Sequence, residues 1–331
     1  MLRSAFLLLL TAGALIRPAA AQVYSATDPL AHTFSIVARD PLTGDLAVAV
    51  QSHWFSVGTA VSWGEAGVGV VATQSFTNKS FGMRGLALLK SGKTAQQALT
   101  ELLATDEGRD VRQVSILDAK GNVATHTGKK CVDMAGHQVG AQFSVQANMM
   151  LNATVWPAMA KAYEQNMKLP LAERVLAALD AAQAAGGDVR GRQSAALLVV
   201  RGKASAAPWD DRLIDLRVDD NEAPLTELAR LLRLHRAYEH MNAGDLAVEK
   251  NDMPAAIREY EAAEKMFPQN LEMQYWHAIT LANKQQLPAA LALLGPIFRQ
   301  EPNWRTLTGR LPKVGLLTIS PAELNQILSL K

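Results

Sequence analysis

The chain has 331 residues, with 33 Lys and Arg against 31 Asp and Glu and a formal net charge of +2. Hydrophobic residues make up 49% of it and charged residues 19%, which is enough apolar material for about two folded domains and excludes an intrinsically disordered protein. A nearly balanced charge with no basic run offers little to a phosphate backbone, so nucleic acid is excluded as an expected partner.

The first 21 residues have the pattern of a secretory signal peptide. A basic start, Met1–Arg3, precedes an apolar run, Ala5–Ile16, and a small-residue cleavage site, Ala19–Ala21. The apolar run is too short to cross a bilayer as a helix, and an uncleaved anchor is the alternative interpretation. We therefore expect a periplasmic or secreted protein that starts at Gln22. Cleavage there removes two arginines, which leaves 31 basic and 31 acidic residues and a formally neutral chain.

Residues 33–51 predict a β-hairpin. Apolar side chains recur at alternate positions, as in a strand with two different faces. The first strand places Phe34, Ile36 and Ala38 on one face and Thr33, Ser35 and Val37 on the other. Between the strands, Asp40–Asp45 has turn chemistry, because Pro41 presets φ and Gly44 accepts a positive φ.

The rest of this region alternates groups of strands with pairs of helices. Further strands are predicted over residues 57–63, 67–74, 112–117, 123–127, 138–146, 194–200 and 213–218. Helices are predicted over residues 82–89, 94–104, 154–165, 170–185 and 225–238. This order lacks a regular βαβ repeat, so the pattern alone predicts a mixed α+β sandwich.

Several segments resemble, in the same order, those of the domain of unknown function 1028 (DUF1028) family. They are TFSIVARDPLTGDLAVAVQS, AGVGVVATQSFTN, RQVSILDAKG, HTG at 126–128, FSVQAN at 143–148, QAAGGDVRGRQSAALLVV and DLRVDD at 215–220. The resemblance implies an N-terminal-nucleophile (Ntn) hydrolase-like domain over residues 33–235, preceded by a leader segment, residues 22–32. The implied fold is a four-layer α-β-β-α sandwich, with two antiparallel sheets covered by helices on both outer faces.

A different period governs the C-terminal region. Pro268 and Pro302 are 34 residues apart, the period of the tetratricopeptide (TPR) repeat. The small and aromatic positions of two repeats are then held by Gly244, Ala256, Tyr260, Ala263, Ala278, Ala290, Leu294 and Ile297. This predicts an all-α TPR-like tail over residues 236–303. Two repeats rarely bury enough surface alone, so we expect them to pack on the sandwich or on a second subunit of a homo-oligomer.

Residues 304–331 are predicted to form a C-terminal helical cap. Their sequence also resembles a small tail domain that accompanies some family members and has been suggested to bind peptidoglycan. The tail as a whole is therefore expected to contact a peptide or peptidoglycan, with a purely structural cap as the alternative.

Thr33 is the residue on which the resemblance places the chemistry. A hydroxyl becomes a good nucleophile only when a base removes its proton, and a threonine at the N-terminus of a chain carries such a base in its own α-amine. In this chain the nitrogen of Thr33 is bonded to His32, so catalysis requires a cut between these two residues. A threonine that serves only the sheet is the alternative.

Four polar residues are expected near Thr33 if the Ntn-like arrangement holds. Gln74 and Asn148 are predicted as catalytic donors to the developing oxyanion. Asn78 and Arg84 are predicted to bind substrate, Arg84 through a substrate carboxylate. These roles follow from placement in the resembling segments.

Two further features, a cysteine and a glycine-rich loop, each have a functional and a structural interpretation. Cys131 is the single cysteine, so it cannot form an internal disulfide; it is either a nucleophile or a small buried hydrophobe. The loop Gly186–Gly191 with Arg190 either holds an anion or simply joins a helix to a strand. The sequence has no metal-binding motif, and neither a metal nor another cofactor is predicted.

Two functional hypotheses remain. One is an exported Ntn-type amide hydrolase that acts on a small amide or peptide bond through Thr33. The other is a non-catalytic periplasmic binding or scaffold protein that uses its TPR-like tail.

Overall fold

The computed structural model of this protein describes residues 30–31 and 33–331. The predicted signal peptide, residues 1–21, and the leader segment other than residues 30 and 31 lie outside the described residues. Within the described ranges, no helix is both long and apolar enough to cross a membrane.

The strands and helices follow one another as in a mixed α+β protein. The described strands are β1 (Leu30–Ala31), β2 (Thr33–Arg39), β3 (Leu46–Ser52), β4 (Ser62–Glu65), β5 (Gly69–Phe76), β6 (Arg112–Asp118), β7 (Val123–Thr127), β8 (Gly136–Gly140), β9 (Phe143–Ala147), β10 (Ser194–Val200) and β11 (Arg212–Val218). The described helices are α1 (Gly58–Val61), α2 (Ser80–Lys90), α3 (Ala95–Ala104), α4 (Val155–Gln165), α5 (Leu171–Ala184), α6 (Pro224–Glu249), α7 (Met253–Met266), α8 (Leu271–Asn283), α9 (Leu287–Gln300), α10 (Asn303–Thr308) and α11 (Pro321–Leu328).

In the described chain these strands form two antiparallel sheets. The β2 sheet has the strand order β11-β10-β3-β2-β9-β8. The β5 sheet has the order β1-β5-β6-β7, and β4 also pairs with β5. The predicted hairpin is confirmed as β2–β3, with Thr33 opposite Ser52 and Arg39 opposite Leu46. The predicted mixed α+β class is confirmed with it.

Period-2 alternation decides which side of each sheet a side chain faces. Val37, Val48 and Val70 belong to one apolar cluster contributed by both sheets. On the opposite face of the β2 sheet, Ile36 packs in a cluster with residues of α4, α5 and the start of α6. On the opposite face of the β5 sheet, Ile116 packs with residues of α2 and α3.

Two predicted strands are wrong in their boundaries. Residues 58–61 form a one-turn helix, α1, and the strand β4 begins only at Ser62; this arrangement buries both Val57 and Val61. Residues 138–146 form parts of two strands, β8 and β9, because Gln142 adopts a positive φ of 63° and turns the chain back.

The C-terminal region is helical, as predicted, and begins inside a long helix. Helix α6 has 26 residues, and Leu228 and Leu232 in its first half pack in the α4–α5 cluster. Arg236 then binds Glu173 of α5 at 2.9 Å. The predicted boundary between residues 235 and 236 therefore lies within one continuous helix, which joins the helical region to the sheets.

The side chains that the 34-residue period selected are all buried. Gly244 of α6 lies against Tyr260 of α7, where a Cβ atom would be 2.5 Å from the tyrosine ring. Ala278 of α8 packs in one cluster with Ala290 and Leu294 of α9. Small and apolar residues at these positions thus let successive helices approach closely.

The turn of the β2–β3 hairpin is held by Asp40. Its Oδ1 accepts hydrogen bonds from the backbone N–H groups of Leu42 (2.8 Å) and Thr43 (3.1 Å). Its Oδ2 accepts one from Nη2 of Arg174 at 2.9 Å, and the exposed fractions of the two side chains are 10% and 3%. Burial raises the pKa of Asp40, but these amides and Arg174 outweigh it and leave the pKa below its ordinary value of 3.8.

We expect Asp40→Ala to lower the free energy of unfolding by about 3–5 kcal/mol, because it leaves the Arg174 guanidinium buried without its partner. Asp40→Ala combined with Arg174→Met should recover most of that loss. Urea denaturation monitored by circular dichroism measures both.

Since the folded-state pKa of Asp40 is depressed, its contribution to the free energy of unfolding should be present above pH 3.8 and disappear as the pH falls through the lower folded-state value. Equal stability of Asp40→Ala and the unmodified chain at pH 7 would contradict this account.

Candidate active site

Thr33 begins a central strand of the β2 sheet. Strand β2 is paired on both sides, with β3 and with β9, and Thr33 is fully buried. The alternation that sends Phe34 and Ile36 to the helix-covered face sends Thr33 and Ser35 to the other face. The Thr33 hydroxyl donates to Oγ of Ser52 at 3.2 Å. The hydroxyl is thus held at the end of the space between the two sheets.

The backbone carbonyl of Thr33 is held by amide donors from both sheets. Nε2 of Gln74, in the β5 sheet, donates to it at 3.0 Å. The backbone N–H of Asn148 donates at 3.1 Å, and its Nδ2 lies at 3.5 Å. The structure therefore brings together the three predicted catalytic residues, Thr33, Gln74 and Asn148. In this arrangement the two amides position the Thr33 backbone rather than face an incoming carbonyl.

Gln113 of β6, which the sequence analysis did not select, connects these donors. Its Oε1 accepts from Nε2 of Gln74 at 2.7 Å and from Nδ2 of Asn148 at 2.9 Å. Its Nε2 donates to the carbonyl of Ala147 at 2.9 Å and to Oγ1 of Thr127 at 2.8 Å. The side chain is fully buried, with both of its polar atoms bonded. Gln113 therefore fixes Gln74 and Asn148 at the same time.

The polar network continues along the sheets. Ser35 donates to Oε1 of Gln74 at 2.7 Å and accepts from Nε2 of Gln146 at 3.2 Å. Ser115 donates to Oε1 of Gln146 at 3.1 Å. All of these side chains are buried hydroxyls and amides, none of which gains or loses a proton near neutral pH. The nearest imidazole in these contacts is that of His137, whose Nδ1 lies 2.8 Å from Oγ1 of Thr127 and which has no contact with Thr33 among these bonds.

The sequence held a signal for these missed residues. In the strand RQVSILD, Gln113 and Ser115 alternate with Val114 and Ile116, so a polar face was readable. On its own, such a face predicts exposure to solvent. The second sheet covers it and turns it into a buried network.

Asn78 and Arg84, predicted to bind substrate, lie at α2 instead. Oδ1 of Asn78 accepts from the backbone N–H and the hydroxyl of Ser80, at 3.1 and 2.7 Å, and so caps the start of the helix. Arg84 is exposed and donates to Oγ1 of Thr105 at 3.0 Å, at the end of α3. The contacts of these two residues do not connect them to the Thr33 network.

Two other features are satisfied internally. Burial raises the pKa of the Cys131 thiol, which disfavours a reactive thiolate and agrees with a small buried residue. In the Gly186–Gly191 loop, Arg190 binds the fully buried carboxylate of Asp188 at 2.7 Å, so this loop already contains its own anion. In the described residues, no three His, Cys, Asp or Glu side chains come together to hold a metal ion.

The comparisons with known proteins concern the same part of the chain. A family model described as "Family of unknown function (DUF1028)" matches residues 33–228, more than half of the chain. The crystal structure of protein SPO2555 from Silicibacter pomeroyi, given as DUF1028, is 32% identical. That similarity covers 61% of this chain and 85% of the other, with a TM-score of 0.55. None of the curated proteins matches this chain.

We expect Gln113→Leu to destabilise the protein by about 1–3 kcal/mol for each of the two side-chain N–H groups that lose their acceptor on Gln113, one on Gln74 and one on Asn148. Gln138→Leu, the same replacement at an exposed position of β8, should change the stability by less than about 0.5 kcal/mol. Urea denaturation midpoints compare the variants. Equal effects at the two positions would show that the network does not fix the end of β2.

Proposed function

Because this chain belongs to the DUF1028 family, we propose that it is the precursor of an exported Ntn-type amide hydrolase whose nucleophile is Thr33. The bond cut by the mature enzyme is a small amide or peptide bond. The mechanism requires no metal or other cofactor. It requires a free α-amine on Thr33, which only cleavage after His32 can provide.

One coincidence carries this proposal. The family match begins at Thr33, and Thr33 is also the buried hydroxyl whose carbonyl is held by donors from both sheets. Holding the backbone of a nucleophile by buried, fully bonded amides is how a site keeps its reacting atom in place.

The layering of the domain supports an Ntn-like sandwich. Helices α4 and α5 pack on one face of the β2 sheet, and α2 and α3 pack on one face of the β5 sheet. The other faces of the two sheets share an apolar cluster. Thr33, at the start of β2, lies on the face of the β2 sheet opposite the helix-covered one, which supports its assignment as the nucleophile of such a sandwich.

The chemistry follows from the neutral character of the network. The α-amine of a chain has an ordinary pKa of about 7.7–8.0, so near neutral pH a useful fraction is unprotonated and can accept the hydroxyl proton. Ser52, which accepts a hydrogen bond from Oγ1 of Thr33, keeps that hydroxyl oriented. The rate of the mature enzyme should then rise with pH through about 7–8.

Maturation uses the same hydroxyl. Oγ1 of Thr33 adds to the carbonyl carbon of His32, the C–N bond between the two residues breaks, and the nitrogen takes the hydroxyl proton. Water then hydrolyses the resulting ester, which leaves a carboxylate on His32 and a free hydroxyl and amine on Thr33. No oxidant, reductant or other reactant is consumed.

We expect mass spectrometry of the purified, active protein to find an N-terminus at Thr33. Thr33→Val, which keeps the side-chain shape without the hydroxyl, should retain the leader and lose cleavage of a p-nitroanilide of the sequence Pro-Leu-Ala-His by at least about 10³-fold. Thr33→Ser should mature and keep measurable activity.

Thr100→Val, on the exposed side of α3, is the control and should mature normally. Full activity in a chain that begins at Gln22, with no shorter species present, would refute the mechanism. So would normal maturation and activity of a folded Thr33→Val protein.

A groove in the helical tail favours the second candidate function, binding of a peptide or peptidoglycan in the periplasm. We propose that the tail is a TPR-like pair and that this groove is its ligand site. The groove has a volume of about 460 Å³, and its lining includes Asp245, Glu249, Tyr260 and Trp276. Two carboxylates beside an indole ring suit a basic side chain with an aliphatic stem.

We expect Glu249→Lys to weaken co-sedimentation of the full chain with purified peptidoglycan sacculi, because it reverses the charge on one side of the groove. Glu222→Lys makes the same change at an exposed position outside the tail and should bind as the unmodified chain does. Unchanged binding of Glu249→Lys, or no binding by the unmodified chain, would remove this function.

A further inference from the structure

The chain changes sheets immediately before Thr33. Leu30 and Ala31 form β1, which pairs antiparallel with the end of β5, Leu30 opposite Phe76 and Ala31 opposite Ser75. Thr33 pairs with Ser52 in the other sheet. The residues on the two sides of His32 are therefore held by different sheets.

The edge that β1 occupies lies next to the candidate active site. Strand β4 pairs with β5 only from Gly69 to Ala72. Among the described strands, β1 is the one that pairs with the same edge further along, at Ser75 and Phe76. Gln74, which donates to the Thr33 carbonyl, is in this stretch of β5. A strand edge that pairs with so short a segment can accept another extended chain in its place.

The described pairing of the leader with this edge is short. Within residues 30–31 it joins Leu30 and Ala31 to β5, and Pro29 before them has no N–H to donate to a ladder. Pairing of this length is marginal when no covalent link supports it. A leader cut after His32 would therefore leave, and the edge would become accessible.

We propose that the edge of β5 from Thr73 to Phe76 binds the main chain of the substrate, and that the substrate is an extended peptide. The leader segment is the first occupant of this site. This inference rests on the proposed function, since it assumes that Thr33 attacks both the leader and the substrate. It decides between the two substrate classes considered above, in favour of a peptide over a small amide.

The pairing register of the substrate on β5 follows from the two cleavage reactions, that of the leader and that of the substrate. In maturation and in turnover, the carbonyl carbon that is attacked must reach the same Oγ1 atom of Thr33. The residues that precede the cleaved bond must then extend away from Thr33 along the same path in both reactions. The second and third residues before the cleaved bond of a substrate therefore pair with Ser75 and Phe76, as Ala31 and Leu30 do in the precursor.

The loops at this end of the domain expose apolar side chains beside the charged Lys129, Lys130 and Asp133. Val132, Met134 and Leu151 are exposed on loops at this end of the domain. Backbone hydrogen bonds link these loops, from Met149 to Val132 at 3.3 Å and from Met150 to Met134 at 3.3 Å. Asn148, next in the chain to Met149, donates to the Thr33 carbonyl, so the backbone of these loops is connected to the end of β2.

The test uses the full chain with Thr33→Val, so that the leader stays attached and no catalysis occurs. Ala31→Pro removes the N–H of residue 31 and should release the leader from β5. We expect backbone amides of residues 73–77 to exchange with deuterium at least about tenfold faster in this variant than with Ala31→Ser, which keeps the N–H. Exchange in β10, in the other sheet, reports whether the fold is intact.

A synthetic peptide of the leader sequence, Ala-Thr-Asp-Pro-Leu-Ala-His, should then slow exchange of residues 73–77 in a saturable way. The same peptide with N-methyl groups on its Leu and second Ala should not. Equal exchange in the Ala31→Pro and Ala31→Ser chains, or no protection by the added peptide, overturns the proposal. Neither readout depends on activity, so loss of the hydrolase hypothesis would appear separately, as a chain that never acquires Thr33 as its N-terminus.

Discussion

The arrangement around Thr33 depends on the free-energy cost of burying side-chain amides between the two sheets. A side-chain amide removed from water loses several kcal/mol unless its polar atoms find partners, so the bonds among Gln113, Gln74 and Asn148 are obligatory once the sheets close. Each of these bonds crosses between strands that are distant in sequence. The carbonyl of Thr33 is one of their acceptors, and the position of the residue is therefore set by the whole arrangement.

The space between the sheets is divided into an apolar and a polar part. Along β2 its lining changes from Val37 to Ser35 and Thr33, and along β5 from Val70 to Gln74. The apolar part supplies the hydrophobic stabilisation, and the polar part supplies directional bonds that allow one arrangement. The side chains that hold Thr33, Gln74 and Asn148 in place are hydroxyls and amides, and His137 joins them only at the rim, through Thr127 at 2.8 Å. The proposed mechanism accordingly takes its base from the chain terminus.

Strand β5 contacts both Thr33 and the leader. It provides Gln74 to the Thr33 carbonyl, and its edge carries the two described leader residues. A strand with both contacts can fix the position of a bound main chain relative to the nucleophile, because neighbouring residues of a strand keep a constant spacing. The helical region is joined to this domain by the continuous helix α6, whose first half packs against the domain. The groove of the tail is therefore connected to the sheets without an intervening loop.

The sequence by itself determined the mixed α+β class, the β2–β3 hairpin and the family, since period-2 alternation, turn residues and family segments are local properties. The role of Thr33 stays a prediction. The sequence selected Gln74 and Asn148 correctly as neighbours of Thr33, through segments that resemble the family. Only the tertiary structure decided that Gln113 connects them and that Arg84 lies on an outer helix. A polar strand face looks the same whether water or a second sheet covers it, and long-range sheet packing makes that choice.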